Sequence, residues 1–154
     1  MRKKEREIKD RSIIDSIIKH ALICRVAFKG DEYPYLVPMN YGFDGTDIFF
    51  HCALAGKKLE MIRQNNKVCF EIEQDYEIVK GDVSCDWTTK YRSVIGYGTI
   101  TIIEDFDQKI NALDIIMQQH GKMENAYVER AVNKINVLQL KIDSITGKEA
   151  GNWN

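Results

Sequence analysis

Hydrophobic positions along this chain alternate between two periods. Ile13, Ile14, Ile17 and Ile18 recur at helical spacing within residues 10–20, and Asp10 or Ser12 stands where a helix cap is needed. The same spacing returns over 107–119, with Ile110, Leu113, Ile116 and Met117 facing inward. Shorter helices are predicted over 54–64, with Leu54, Met61 and Ile62 on one face, and over 125–132. The remaining apolar runs read as strands: 21–28, 33–41, 47–52, 68–73, 91–103 and 136–145. Val68, Phe70 and Ile72 alternate with Cys69, Glu71 and Glu73, the pattern of a half-buried strand. Residues 75–89 are poorly patterned and predict a long loop or a broken strand. Residues 147–154 read as a tail ending in Trp153. Arg2, Lys3, Lys4 and Arg6, interleaved with Glu5 and Glu7, read as a solvated arm.

Two prolines constrain the second strand. Pro34 and Pro38 forbid a fully paired central position, so 33–41 must be an edge or be distorted near Pro38. Six strands in short hairpins, with helices at the connections, predict a mainly β fold: a small barrel decorated by α-helices. Strand and helix do not alternate regularly, and no Gly-x-Gly-x-x-Gly occurs, so a doubly wound nucleotide fold is disfavoured. The 154 residues are expected to form one domain, 1–154.

Charge and cysteine content narrow the function classes. A net charge of −1 disfavours a general nucleic-acid binder. No apolar window reaches membrane-spanning length, and no membrane partner is expected. Cys24, Cys52, Cys69 and Cys85 are scattered, with no Cys-x-x-Cys pair, so no metal site is predicted. They read as reduced thiols in a cytoplasmic protein.

Three segments carry candidate chemistry. The first is Ile48-Phe49-Phe50-His51-Cys52-Ala53-Leu54-Ala55-Gly56-Lys57-Lys58: a buried strand ending in a histidine, then a helix start with glycine and two lysines. Free N–H groups, a positive dipole end and two ammonium groups suit a phosphate. An ordinary strand-to-helix connection with solvated lysines would read the same way. His51 is suited to bonding a ligand ring or transferring a proton near neutral pH, or to a purely structural bond with backbone. The second segment is Val37-Pro38-Met39-Asn40-Tyr41, where Pro38 interrupts pairing and frees neighbouring backbone groups for a flat heteroaromatic ring. Protection of a strand edge is the competing reading. The third is Arg92-Ser93-Val94-Ile95-Gly96-Tyr97-Gly98, with Arg92 and Ser93 as phosphate donors. Gly96 and Gly98 leave one face bare for a ligand or for a tight barrel bend.

Together these segments resemble the pyridoxamine-phosphate-oxidase-like split-barrel flavoproteins, and within them the nitroimidazole-resistance branch. Pro34 to Tyr41, Ile48 to Ala53, Gly56-Lys57-Lys58, Arg92 to Gly98 and Ile145-Thr146-Gly147-Lys148 carry the resemblance, which runs from Arg2 to Trp153. It implies a six-stranded split β-barrel of the FMN-binding type, forming a homodimer with FMN at the interface. It implies that Val37, Pro38, Met39, Asn40 and Tyr41 meet the flavin ring through their backbone. Lys57 and Lys58 would hold the phosphate, with His51 beside the cofactor and as the candidate catalytic group. Arg92 and Ser93 are carried over as further cofactor contacts. The implied activity is FMN-dependent reduction of small acceptors such as 5-nitroimidazoles. The arginine-rich site for pyridoxine phosphate near the C-terminus is absent, so vitamin B6 oxidation is not expected. A non-catalytic FMN-storage protein and a haem-binding split barrel, with His51 as axial ligand, are the alternatives.

Overall fold

A computed structural model describes residues 3–151 and 153. In chain order the strands are β1 (Glu7–Ile8), β2 (Ile23–Phe28), β3 (Tyr35–Asn40), β4 (Gly42–Phe43), β5 (Asp47–Ala53), β6 (Lys67–Val79), β7 (Thr88–Ile103) and β8 (Ile135–Ala150). The α-helices are α1 (Arg11–His20), α2 (Lys57–Gln64), α3 (Phe106–Gln119) and α4 (Glu129–Val132). The fold is mainly β, as the hydrophobic pattern predicts. The six long strands are the predicted six; β1 and β4, two residues each, bring the sheet to eight strands.

The strands lie in the order β3-β2-β6-β7-β8-β5-β4, all antiparallel, with β1 joined to β8. The predicted proline strand, β3, is an edge. Inward-facing Val26, Phe28, Phe70, Ile72, Ile100 and Leu140 are almost fully buried. Each such side chain contributes about 1.5–3 kcal/mol of burial free energy. α1 lays Ile14, Ile17 and Ile18 on this core. Its start is capped by Asp10, whose carboxylate accepts the Ser12 N–H at 2.8 Å. At its end, Gln119 Nε2 reaches the carbonyls of Ile18, Lys19 and Ala21 at 2.8–2.9 Å, tying α3 to the exit of α1.

β5 is buried on both faces, which explains its unbroken Ile48-Phe49-Phe50 run. Ile48 and Phe50 enter the barrel core, while Phe49 packs with Ala112, Leu113 and Ile116 of α3 in a second cluster.

Several boundaries differ from the sequence reading, each for a visible reason. β8 continues through Ala150 instead of ending in a tail: Lys148 pairs with Ser93 of β7 and with Glu7 of β1. Its burial comes from partners remote in sequence, so local patterning does not reveal it. The amino-terminal arm is likewise not wholly solvated, because Ile8 is buried against β8. Arg2 lies outside the described residues. Residues 75–89 hold both a broken strand and a loop: β6 runs to Val79 through a bulge, with Asp75 at φ 58° and a register shift between Gln74 and Glu77, residues 80–87 form the connection, and β7 begins at Thr88. That bulge resets the alternation, and the hairpin beyond it has no core to pack on. Leu54 precedes α2 and is exposed; Leu59 takes the core position. Within 125–132 only Glu129–Val132 is helical.

Gly96 and Gly98 serve the bend. A Cβ at Gly96 would lie 2.3 Å from the Phe70 ring, and one at Gly98 2.3 Å from the Lys141 carbonyl oxygen. β7 and β8 change register at Tyr97/Gly98, where the barrel turns. Gly98→Ala must push two paired backbones apart. It is expected to cost about 2 kcal/mol, read as a lower urea midpoint with an unchanged slope. An unaltered midpoint would show that this contact does not limit the bend.

Candidate functional site

The sheet does not close on itself. Its end strands, β3 and β4, are separated in the chain by Tyr41 alone; β3 pairs with β2 and β4 with β5, while β3 lies against β5 without pairing to it. Along this seam lies a groove of about 260 Å³ lined by Pro38, Met39, Asn40, His51 and Lys58. A second recess of about 160 Å³ shares Lys58 and is bounded by Tyr35, Cys52, Gly56 and Lys57. Five of the predicted site residues therefore line one groove, and Lys57 lines the recess beside it.

α2 starts at this junction. Its preceding residue, Gly56, has φ 133° and makes no side-chain cap; a glycine accepts that conformation without strain. The Leu59 and Glu60 N–H groups return to the Gly56 carbonyl at 3.0 and 3.4 Å. The earlier N–H groups have no carbonyl to reach within the helix. Lys57 Nζ sits 4.9 Å from the centre of the Tyr35 ring, a cation–π contact that holds this ammonium beside the helix start.

His51 stands at the end of β5 opposite Val137. His51 is exposed as a residue, but partial burial of its ring lowers its pKa below the ordinary 6.5, and the charges of Lys58 and His120 act in the same direction. The imidazole is therefore neutral at pH 7, with one nitrogen a donor and the other an acceptor. Burial pushes the neighbouring Cys52 thiol up, against the opposing influence of Lys58. It is not an activated nucleophile.

The other predicted residues lie elsewhere. Val37 packs on the barrel core. Tyr41 is fully buried, donating its hydroxyl to the Ile18 carbonyl at 2.6 Å, so its side chain is structural. Arg92 and Ser93 pair with Glu149 and Lys148 at the far end of β8, whereas His51 pairs near its beginning. Arg92 is engaged by Glu149 at 3.4 Å and by the Trp153 ring at 4.1 Å; Ser93 is buried. Within one chain these two do not join the groove. Trp87 donates to the Gly81 carbonyl at 3.0 Å in the β6–β7 hairpin, and Cys85 is exposed there.

Sequence reasoning missed a larger apolar pocket on the other side of His51. It measures about 440 Å³ and lies between α3 and the 126–135 segment. Leu113, Ile116 and Met117 line it from the helix. Helical periodicity marks all three as core, and nothing local separates a core face from a pocket wall. Among the described residues no cluster of His, Cys, Asp or Glu is arranged to hold a metal ion. Nor is any helix there long and apolar enough to cross a membrane.

The family model for pyridoxamine 5'-phosphate oxidase matches residues 10–149. The chain belongs to that family. Among solved structures, it is similar to a candidate 5-nitroimidazole antibiotic resistance protein from Bacteroides thetaiotaomicron. The identity is 34%, the match covers 93% of this chain and 86% of that one, and the TM-score is 0.85. The flavocytochrome Anf3 from Azotobacter vinelandii matches with TM-score 0.84 at 15% identity, over 99% of this chain and 72% of that one. A FAD and haem binding protein from Mycobacterium smegmatis matches with TM-score 0.82 at 18% identity, over 96% and 75%. At such identities the last two establish the fold alone. No curated protein matches this sequence. The pyridoxamine 5'-phosphate oxidase family and the split-barrel architecture agree with the resemblance carried by the sequence motifs.

The electrostatics of His51 are directly measurable. Its ring-proton resonance is expected to titrate below pH 6.5, and Lys58→Gln to move the midpoint upward by removing one of the charges that depress it. A midpoint at or above 6.5 in the unaltered protein would contradict the desolvated setting.

Proposed function

We propose that this member of the pyridoxamine 5'-phosphate oxidase family binds FMN in the seam groove and passes electrons to small acceptors such as 5-nitroimidazoles. One observation carries the reading: a doubly cationic helix start without a side-chain cap and the open edge of a proline-interrupted strand line two adjoining recesses that share Lys58. Lys57, Lys58 and the first N–H groups of α2 suit a phosphate dianion. The backbone of β3 from Val37 to Tyr41 offers donors and acceptors to the edge of a flat heteroaromatic ring. No carboxylate lines either recess to oppose the phosphate.

FMN, when bound, supplies the redox chemistry; the chain's part is to hold the ring, exclude water and place the acceptor. His51, neutral at pH 7, is suited to donating a hydrogen bond to the acceptor and exchanging a proton with it. The similarity to the Bacteroides protein supports a nitroaromatic acceptor.

A homodimer completes the reading. Leu36, Ile95 and Tyr97 are exposed on the outer face of the sheet, an apolar surface suited to a second copy. Arg92 and Ser93, remote from the groove of their own chain, would contribute only across such an interface. Four free thiols suit a reducing, cytoplasmic setting. The second reading keeps the cofactor without turnover, as a storage protein. A haem with His51 as axial ligand would leave the lysine pair without a phosphate to bind.

The purified protein is expected to show flavin absorption and to release FMN, identified by chromatography against FAD. Lys57→Ala and Lys58→Ala are each expected to weaken FMN about tenfold, or ~1.4 kcal/mol. Unchanged FMN affinity in the double variant would remove the phosphate assignment. With the flavin reduced anaerobically, adding a 5-nitroimidazole should restore the oxidised spectrum. A flavin that stays reduced would favour storage.

A further inference from the structure

Resting on the flavin reading of the seam, we propose that the apolar pocket behind His51 seats the electron acceptor and selects uncharged, ring-sized molecules. The pocket, at about 440 Å³, has the size of a small-molecule site. α3 presents Leu113, Ile116 and Met117 on one wall; Tyr127, Val128 and Ala131 form the other. No Lys, Arg, Asp or Glu lines it. An anion entering would lose its hydration and gain no cationic side chain in the wall, whereas an uncharged ring exchanges water for apolar contact.

Two polar groups reach this pocket, and one is already committed. Tyr127 donates its hydroxyl to Asp114 Oδ1 at 2.8 Å, so it offers the pocket its ring. The same oxygen accepts from Asn125 Nδ2 at 2.9 Å. These two bonds tie the loop before α4 to α3 and hold the walls in place. His51 is the remaining polar side chain, and it lines both this pocket and the seam groove. A ring seated on Ile116 and Met117 therefore turns its polar end toward the residue that also faces the proposed flavin position. This continuity argues for a small-molecule occupant over a protein segment.

The test uses two nitroaromatic probes that differ in charge, 4-nitrobenzyl alcohol and 4-nitrobenzoate, titrated into methyl-labelled purified protein and followed by NMR. The alcohol is expected to shift the Met117 and Ile116 methyl resonances and to bind at least tenfold more tightly than the benzoate. Ala131 is an exposed position in the pocket wall. Ala131→Phe should fill the space and weaken the alcohol at least tenfold with flavin content unchanged. Val128, 70% exposed, gives a second variant that does not disturb the core. Val128→Asp, which places a charge in the wall, should also weaken the alcohol. Lys58→Ala should do the converse, lowering flavin content while the alcohol still shifts Met117. In the unaltered protein, alcohol binding without flavin binding would fault the cofactor reading, and flavin binding without alcohol binding would fault the pocket. Equal affinity for the two probes would overturn the proposal, as would full alcohol binding in the Ala131 and Val128 variants. Concentration-dependent shifts of the same methyls without ligand would also overturn it, by placing a second copy over the pocket.

Discussion

The seam left by an unclosed barrel is the constraint on which the candidate site depends. A closed sheet would satisfy every edge group and leave no groove. Here β3 pairs with β2 alone, and Pro38 suits it to that edge because proline cannot donate to a ladder. At the other end of the sheet, β5 stops short of pairing with β3. The opening is held by interactions some way from it. Tyr41 fastens the exit of β3 to the last turn of α1, and Gln119 fastens α3 to the same turn. The edge is thus anchored at its back while its front remains available for a ligand's hydrogen bonds.

β5 converts this opening into a site with two sides. Its alternation places Ile48 and Phe50 in the barrel and Phe49 under α3, so the strand is fixed from both faces. His51, which continues it, inherits a well-determined backbone and stands between the polar seam and the apolar pocket. With three residues intervening after the strand ends, α2 begins, and its cationic start lies against the same seam. One strand therefore positions the phosphate-type donors and the histidine with little intervening chain, which limits the entropy lost in assembling them.

The parts of this arrangement legible in the sequence are those encoded locally. The prolines restricted β3 to an edge or a distorted strand, the isoleucines of α1 marked its helical face, and Gly56-Lys57-Lys58 marked a helix start suited to an anion. What remained hidden depends on pairing across long sequence separations. Gly147 to Ala150 read as a tail until β7 and β1 flank them. Arg92 and Ser93 read as donors, yet their neighbours in space are Glu149 and Lys148, not His51. Leu113, Ile116 and Met117 follow the same helical period as core residues. Only the course of the 126–135 segment makes part of that face a pocket wall.

This division between local and distant encoding bears on the chemistry. The edge strand and the cationic turn, which carry the resemblance in the sequence, are the parts that the proposed cofactor would use. The features that would choose an acceptor belong to α3 and the segment before β8, held by Asp114, Asn125 and Tyr127. These hydrogen bonds lie outside the seam, so the apolar walls can be altered without touching the cationic start of α2. The two recesses meet at a histidine that desolvation and nearby charge keep neutral. A cationic imidazole there would draw anions toward the apolar side. A neutral one leaves the positive charge on Lys57 and Lys58, so the cationic recess and the apolar pocket keep separate chemical characters within one small barrel.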